Sequence, residues 1–347
     1  MILNSSPKIS IALCTYNGEA FLKEQLESIA AQTILPFELV VCDDASSDST
    51  PQILEVFAAQ ANFSVKLHFN SQTLGYLKNF EKAASLCSGD IIAFSDQDDH
   101  WYADKLETLV QAFSNEKVAM AFSNATLMDE QGKAVEGSLW DISCLDKDSQ
   151  ELFKCGEGYK IIVDRNVVYG CTMAFCNKWW PLIKPLPNNP RLMHDGWAAL
   201  MTAFFGEVVL IEKPLISYRL HPQQTTAKNK LINQAEKLSK GHRERKIAIM
   251  QNKLFHYDVI DSRIHQCAEH IPQHILRSLS EEIQQQQQYL NLRIAIYQSK
   301  PVRLQQVWNV WKSGSYHRFS KGSKRAVGDL FRALAIKVLL WRSSSDF

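Results

Sequence analysis

The sequence predicts an α/β protein, a mostly parallel sheet flanked by helices, followed by a helical C-terminal extension. Two observations carry this. Short apolar runs alternate with helix-spaced apolar residues from Ile9 to Phe113, the pattern of a parallel sheet covered on both faces. From Leu231 onward the text is helical throughout. Charge divides the 347-residue chain at a similar place: residues 1–225 carry a balance of −11 and residues 226–347 one of +12, which cancel to the net +1. We therefore expect an α/β domain over 1–225 and a helical region over 226–347. The asymmetry implies an acidic working domain and a basic segment that meets something anionic.

The elements follow in order. Ile9–Cys14 reads as a buried strand, and Phe21, Leu22, Leu26 and Ile29 then recur at helical spacing. Phe37–Cys42 is a second strand; Ser49 or Thr50 caps the next helix with Pro51 in its first turn. Val65–Phe69 is a third strand, followed by a helix through Phe80 to Leu86. Ile91–Ser95 is a fourth, followed by a helix carrying Leu106, Leu109, Val110 and Phe113. From Val118 to about Thr225 the pattern loosens into strands, loops and one helix near Gly196–Phe205. Two amphipathic helices then run through Ile247–Ile264 and Leu276–Tyr297. The glutamine run Gln284–Gln288 reads as a solvated face of the second.

Several classes are excluded. None of the eight cysteines forms a Cys-x-x-Cys pair, so a zinc knuckle or thioredoxin-type site is not expected. The N-terminus lacks the apolar stretch of a signal peptide, and no run approaches 18 apolar residues; the cytoplasm is the expected compartment. No Gly-x-Gly-x-x-Gly follows the first strand, and no Gly-x-x-x-x-Gly-Lys-Ser/Thr occurs, so both standard phosphate cradles are missing.

In open α/β sheets ligands bind beyond the carboxyl ends of the strands. The four strands deliver Thr15-Tyr16-Asn17, Asp43-Asp44, Asn70 with Gly75, and Asp96-Gln97-Asp98-Asp99 to that rim. Unpaired acids there repel one another, and a divalent cation is the usual remedy. Asp-x-Asp suits Mn²⁺ or Mg²⁺, which take oxygen ligands and keep positions open for phosphates. Taken singly, each cluster reads equally as a helix cap or polar loop.

These residues resemble the family-2 inverting glycosyltransferases of the GT-A fold. The resemblance covers residues 8–225 through Ser10–Asn17, Val41–Ser46, Asn70 with Gly75 and Asn79-Phe80, Ser95–Trp101, Val168–Thr172, His194–Trp197 and Tyr218–His221. The Gln-Asp-Asp-x-Trp form looks most like a bacterial branch containing rhamnosyltransferases. The resemblance implies that Thr15, Tyr16, Asn17, Asp43 and Asp44 hold the nucleobase and ribose, with Asp96 on the ribose. Gly75, Asn79, Gly170, Cys171 and Thr172 would lie along the nucleotide sugar. Asp98 and His221 would bind the cation; His221 reads alternatively as a turn residue before Pro222. Asp195 would be the general base, its alternative a helix cap. Trp101, His194 and Trp197 would stand on the acceptor side. Gly137–Tyr159 has no counterpart in the resemblance and reads as an acceptor loop or lid.

Near the C-terminus, Arg318, Lys321, Lys324, Arg325, Arg332, Lys337 and Arg342 accompany Val327, Leu330, Phe331, Leu334, Val338 and Trp341 at helical spacing over about 318–342. That combination suits a helix lying on anionic lipid, with Trp308 and Trp311 as further anchors, or a helix packed on the catalytic domain. No nucleic-acid partner is expected. The expectation is thus a metal-dependent inverting transferase, peripheral on the inner face of the plasma membrane. It would move rhamnose or another hexose from a UDP- or dTDP-sugar to a glycan acceptor linked to polyprenyl diphosphate, in O-antigen (lipopolysaccharide) or capsule polysaccharide biosynthesis. Alternatives are a metal-dependent nucleotidyltransferase and a non-catalytic nucleotide-sugar-binding or scaffold subunit.

Overall fold

A computed structural model describes residues 7–187, 193–224, 241–271, 273–298 and 304–315. The chain divides into two compact units, Met1–Gln224 and Thr225–Phe347.

The first unit alternates strands and helices: β1 (Ile9–Thr15), α1 (Leu22–Ala30), β2 (Glu38–Asp43), α2 (Thr50–Gln60), β3 (Ser64–Phe69), α3 (Tyr76–Leu86), β4 (Ile91–Ser95), β5 (His100–Trp101) and α4 (Lys105–Ala112). Then come β6 (Val118–Met128), β7 (Ala134–Ser138), α5 (Leu139–Ser143), α6 (Lys147–Lys154), α7 (Tyr159–Asp164), β8 (Met173–Cys176), α8 (Trp180–Ile183), α9 (His194–Phe205) and β9 (Glu207–Arg219). The strands join one sheet in the order β3-β2-β1-β4-β8-β6-β9-β5, with β7 on β6. The sheet is mostly parallel, as the fold class requires; β8 runs antiparallel to both neighbours and β5 antiparallel to β9.

Apolar runs explain the central strands. β1 and β4 are buried along their whole length, whereas β3 pairs only with β2 and stays partly exposed at the edge. Leu22, Leu26 and Ile29 of α1 and Leu106 and Leu109 of α4 pack on Ile11, Leu13 and Ala93. Ser49 sits at the expected cap of α2 but makes no side-chain cap bond; Asp48 instead accepts from Thr50 N at 3.0 Å.

Sequence periodicity did not reveal the 11-residue β6 beside the 13-residue β9, a parallel pair with register shifts. Nor did it reveal α5 to α7. The stretch 137–159, expected as a loop or lid, is largely helical. Its Trp140 is buried, with Phe122 at a ring distance of 6.2 Å.

Because β8 reverses direction twice over, β6 and β9 point the same way as β1 and β4. The ends of β1, β2, β3, β4 and β9 therefore share one rim. That shared rim positions the site.

The second unit contains α10 (His242–Gln266), α11 (Gln273–Tyr297) and α12 (Leu304–Lys312). Tyr257, Ile260, Ile264, Ile283, Leu290 and Ile294 form its buried seam. Gln284 and Gln288 are exposed, and Gln287 donates to Asp258 at 2.7 Å. Among the described residues no helix is long and apolar enough to cross a membrane. The basic stretch 318–342 lies outside the described residues.

Candidate active site

At the β1–β2 end of the rim the polar groups satisfy one another. Thr15 Oγ1 donates to Asp43 Oδ1 at 2.7 Å, and Ser46 donates to the same carboxylate through N (2.9 Å) and Oγ (2.6 Å). Asp44 Oδ1 accepts from Asn70 Nδ2 at 2.9 Å and Leu74 N at 2.7 Å, while Oδ2 accepts from Gly75 N at 2.8 Å. Gly75 has φ +84, a conformation glycine adopts freely. Asn79 is buried and joins Cys42 O to Asn70. Asp44 and Asn79 thus hold the 70–75 connection in place, and Asn79, expected along the nucleotide sugar, is enclosed by its own neighbours. The Tyr16 ring projects from this end, 51% exposed. Asn17, at φ +46, is braced by Ser46 Oγ and Ser47 N.

The β4 end is different. Burial first, then the charges of Asp98, Asp99 and Asp195, hold the Asp96 carboxyl well above its ordinary range. Burial and Asp98 push Asp99 up to about 7. Asp99 Oδ1 accepts from Arg219 N at 3.1 Å, but Oδ2 is buried with no hydrogen-bond partner. Asp98 Oδ2 and His221 Nε2 lie 2.9 Å apart, with the two side chains mostly enclosed. The two are hydrogen-bonded to each other here; a carboxylate oxygen beside an imidazole nitrogen is a donor set that suits a divalent cation.

A second grouping, Asp96, Asp99 and Cys171, has ligand atoms within 4.8 Å of one another. Burial raises the Cys171 thiol. A protonated thiol is a poor ligand for a hard cation, so the chemistry favours the Asp98–His221 pair.

Asp195 sits in the first turn of α9, 4% exposed. It accepts from Gly170 N at 3.0 Å, Asn166 Nδ2 at 3.3 Å and Gly196 N at 2.6 Å. Its charge reaches Asp96, Tyr76 and Tyr169. The residue expected as base is thereby brought beside the β4 carboxylates. Thr172 donates to Tyr169 O, and its side chain is interior.

The three residues expected on the acceptor side are core residues instead. Trp101 and Trp197 are 1% exposed, and Trp197 Nε1 donates to Ile183 O. His194 is stacked on Phe80 at 3.8 Å, and burial lowers its pKa, so the imidazole packs as a neutral ring. All three rings are packed among core side chains.

Two residues escaped sequence reasoning. Arg219 is fully buried; it donates to Asp98 O at 2.8 Å and Glu24 Oε2 at 2.6 Å, and lies over Phe21. It clamps the Asp98–Asp99 backbone. Its signal was a charge inside the apolar strand pattern Leu215–Leu220. Lys105, also fully buried, has Nζ 3.7 Å over the Trp101 ring and 2.5 Å from Cys171 O. Burial lowers it to about 7, opposed by the nearby Asp99 and Asp96 charges. Nothing in its spacing separates it from a solvated helix lysine.

The mostly parallel sheet flanked by helices, with carboxylates at the ends of β2 and β4 gathered at one rim, has the architecture of the GT-A fold. Residues 10–150 match the family model Glycosyl transferase family 2. The chain is 25% identical over 218 residues to an uncharacterised glycosyltransferase of Nostoc sp., covering 62% of this chain and 65% of that one, just under two thirds of the relative's length. It is 28% identical over 199 residues to the UDP-Glc:α-D-GlcNAc-diphosphoundecaprenol β-1,3-glucosyltransferase WfgD of Escherichia coli, covering 54% and 74%. Residues 1–349 of S. aureus TarS, solved with UDP-GlcNAc, superpose with a TM-score of 0.51 at 16% identity, covering 97% of this chain and 92% of that one. That last likeness is one of fold.

Proposed function

We propose that the protein transfers a hexosyl group, rhamnose or another hexose, from a UDP- or dTDP-sugar to a hydroxyl of a glycan acceptor, with inversion. The single observation that carries this is the Asp98–His221 pair at the end of β4, with Asp195 close enough for its charge to act on Asp96. Tyr16 receives the base, with Thr15, Asn17, Asp43 and Asp44 shaping the loop around it, and Asp96 faces the ribose. Asp98 and His221 hold Mn²⁺ or Mg²⁺, which supplies electrostatic stabilisation to the departing diphosphate. Asp195 accepts the acceptor hydroxyl's proton as the new C1–O bond forms and the bond from C1 to the diphosphate breaks. A single displacement from the opposite side inverts the anomeric centre.

The likeness to WfgD supports a UDP-sugar donor and an acceptor on polyprenyl diphosphate, in the assembly of a bacterial surface polysaccharide. Trp308 and Trp311, exposed on α12, together with the +12 balance of residues 226–347, support work at an anionic membrane surface. Turnover of UDP- and dTDP-sugars with Mn²⁺, read by nucleoside-diphosphate release and the product's anomeric configuration, tests the proposal. We expect release from at least one donor and an inverted product. If no donor is bound or turned over, the proposal fails.

A further inference from the structure

Gln97 lies between Asp96 and Asp98, yet its side chain turns toward the other end of the rim. Its Oε1 accepts from Tyr16 N at 2.8 Å, and its Nε2 donates to Tyr16 O at 3.1 Å. One amide therefore takes both backbone polar groups of the residue whose ring is most exposed at the β1 end. A carboxamide carries an acceptor and a donor side by side, which matches the C=O and N–H of one residue.

Gly18 supports the arrangement independently. Its φ is unremarkable, so no left-handed turn requires glycine there. A Cβ at this position would instead stand 2.3 Å from Gln97 Oε1 and 2.5 Å from its Cδ. The amide passes directly over the glycine, and a side chain there would push it aside. Asn17, between them, is fixed from the opposite side by Ser46 and Ser47.

We infer that Gln97, through Gly18, is the positioning residue for nucleobase recognition, a latch that presents the Tyr16 ring to the base of a nucleoside diphosphate. The inference rests on the proposed donor class. The cation motif and the base platform are then one mechanical unit, since the run that carries Asp96 and Asp98 also fixes Tyr16.

Calorimetric titration of the full chain with UDP and with inorganic pyrophosphate, each with Mn²⁺, tests it. Gln97→Ala is expected to weaken UDP about tenfold, the scale of a lost aromatic–base contact, and to leave pyrophosphate within about twofold. Gly18→Ala is expected to weaken UDP to a similar degree, and to add nothing in the Gln97→Ala background. In a Tyr16→Ala background the Gln97→Ala effect on UDP should vanish. Should Gln97→Ala fail to fold, Gly18→Ala alone, which displaces the same amide, gives the same UDP-against-pyrophosphate comparison. UDP affinity unchanged in both variants, an equal loss for pyrophosphate, or fully additive effects would overturn the inference. A wild-type protein that binds no UDP would overturn the donor class itself, and the latch with it.

Discussion

The two ends of the rim carry similar numbers of carboxylates and use them in opposite ways. At the β1–β2 end, Asp43 and Asp44 are each saturated by internal donors: Thr15 and Ser46 for the first, Asn70, Leu74 and Gly75 for the second. At the β4 end, burial and mutual repulsion raise Asp96 and Asp99, and Asp99 Oδ2 has no hydrogen-bond partner. The first end builds loops. The second gathers buried acids that the neighbouring Lys105 offsets only in part, a demand that a proton or a bound cation would relieve. Acidic residues after a strand are thus not one signal but two, and their hydrogen-bond partners tell them apart.

Substitutions sharpen this contrast. The largest effect is expected at Asp195: Asp195→Asn should lower transfer at least about a hundredfold while UDP affinity stays within about twofold. Steady-state kinetics beside calorimetry checks it, and transfer at the wild-type rate would remove Asp195 as base. Next comes Asp44→Asn, which turns one oxygen into a donor facing Asn70 and Leu74 N or Gly75 N. It should cost about 2–3 kcal/mol in denaturant unfolding, whereas Asp98→Asn should cost under about 1 kcal/mol. Equal costs would erase the distinction between the two ends.

A smaller effect is expected at the opposite end of the sheet. Burial raises Glu38, but the Lys66 ammonium at 2.5 Å and hydrogen bonds from Ser10 and Ser88 outweigh it and bring the carboxyl to about 2. A lowered carboxyl stabilises the fold above its ordinary 4.5 and loses that contribution as pH falls toward 2. Glu38→Gln should therefore cost roughly 2 kcal/mol at pH 6, and the difference from wild type should close between pH 4.5 and pH 2. A difference independent of pH would contradict this.

Much of this was legible in the chain. The five- and six-residue apolar runs Ile9–Cys14, Phe37–Cys42 and Ile91–Ser95 located β1, β2 and β4 and their rim, because a fully buried parallel strand has no alternation to obscure it. The β6–β9 pair was not legible, since its register shifts and its partners lie about ninety residues apart. Within the site, the resemblance pointed to Asp98, His221 and Asp195, but their hydrogen-bond partners could not be read from the chain. Arg219 and Lys105 were given no role, and Trp101, His194 and Trp197 were expected as contact residues. Only burial reverses those readings, and burial is a property of the packed sheet.

The central claim is that the β4 end binds a nucleoside diphosphate through a cation held by Asp98 and His221. Titration of UDP into the full-length protein, with Mn²⁺ and with chelator, tests it most directly. The account predicts binding at least about tenfold tighter with Mn²⁺ for the wild type, and no such gain for Asp98→Asn. Equal UDP affinity with and without Mn²⁺ in the wild type would contradict it.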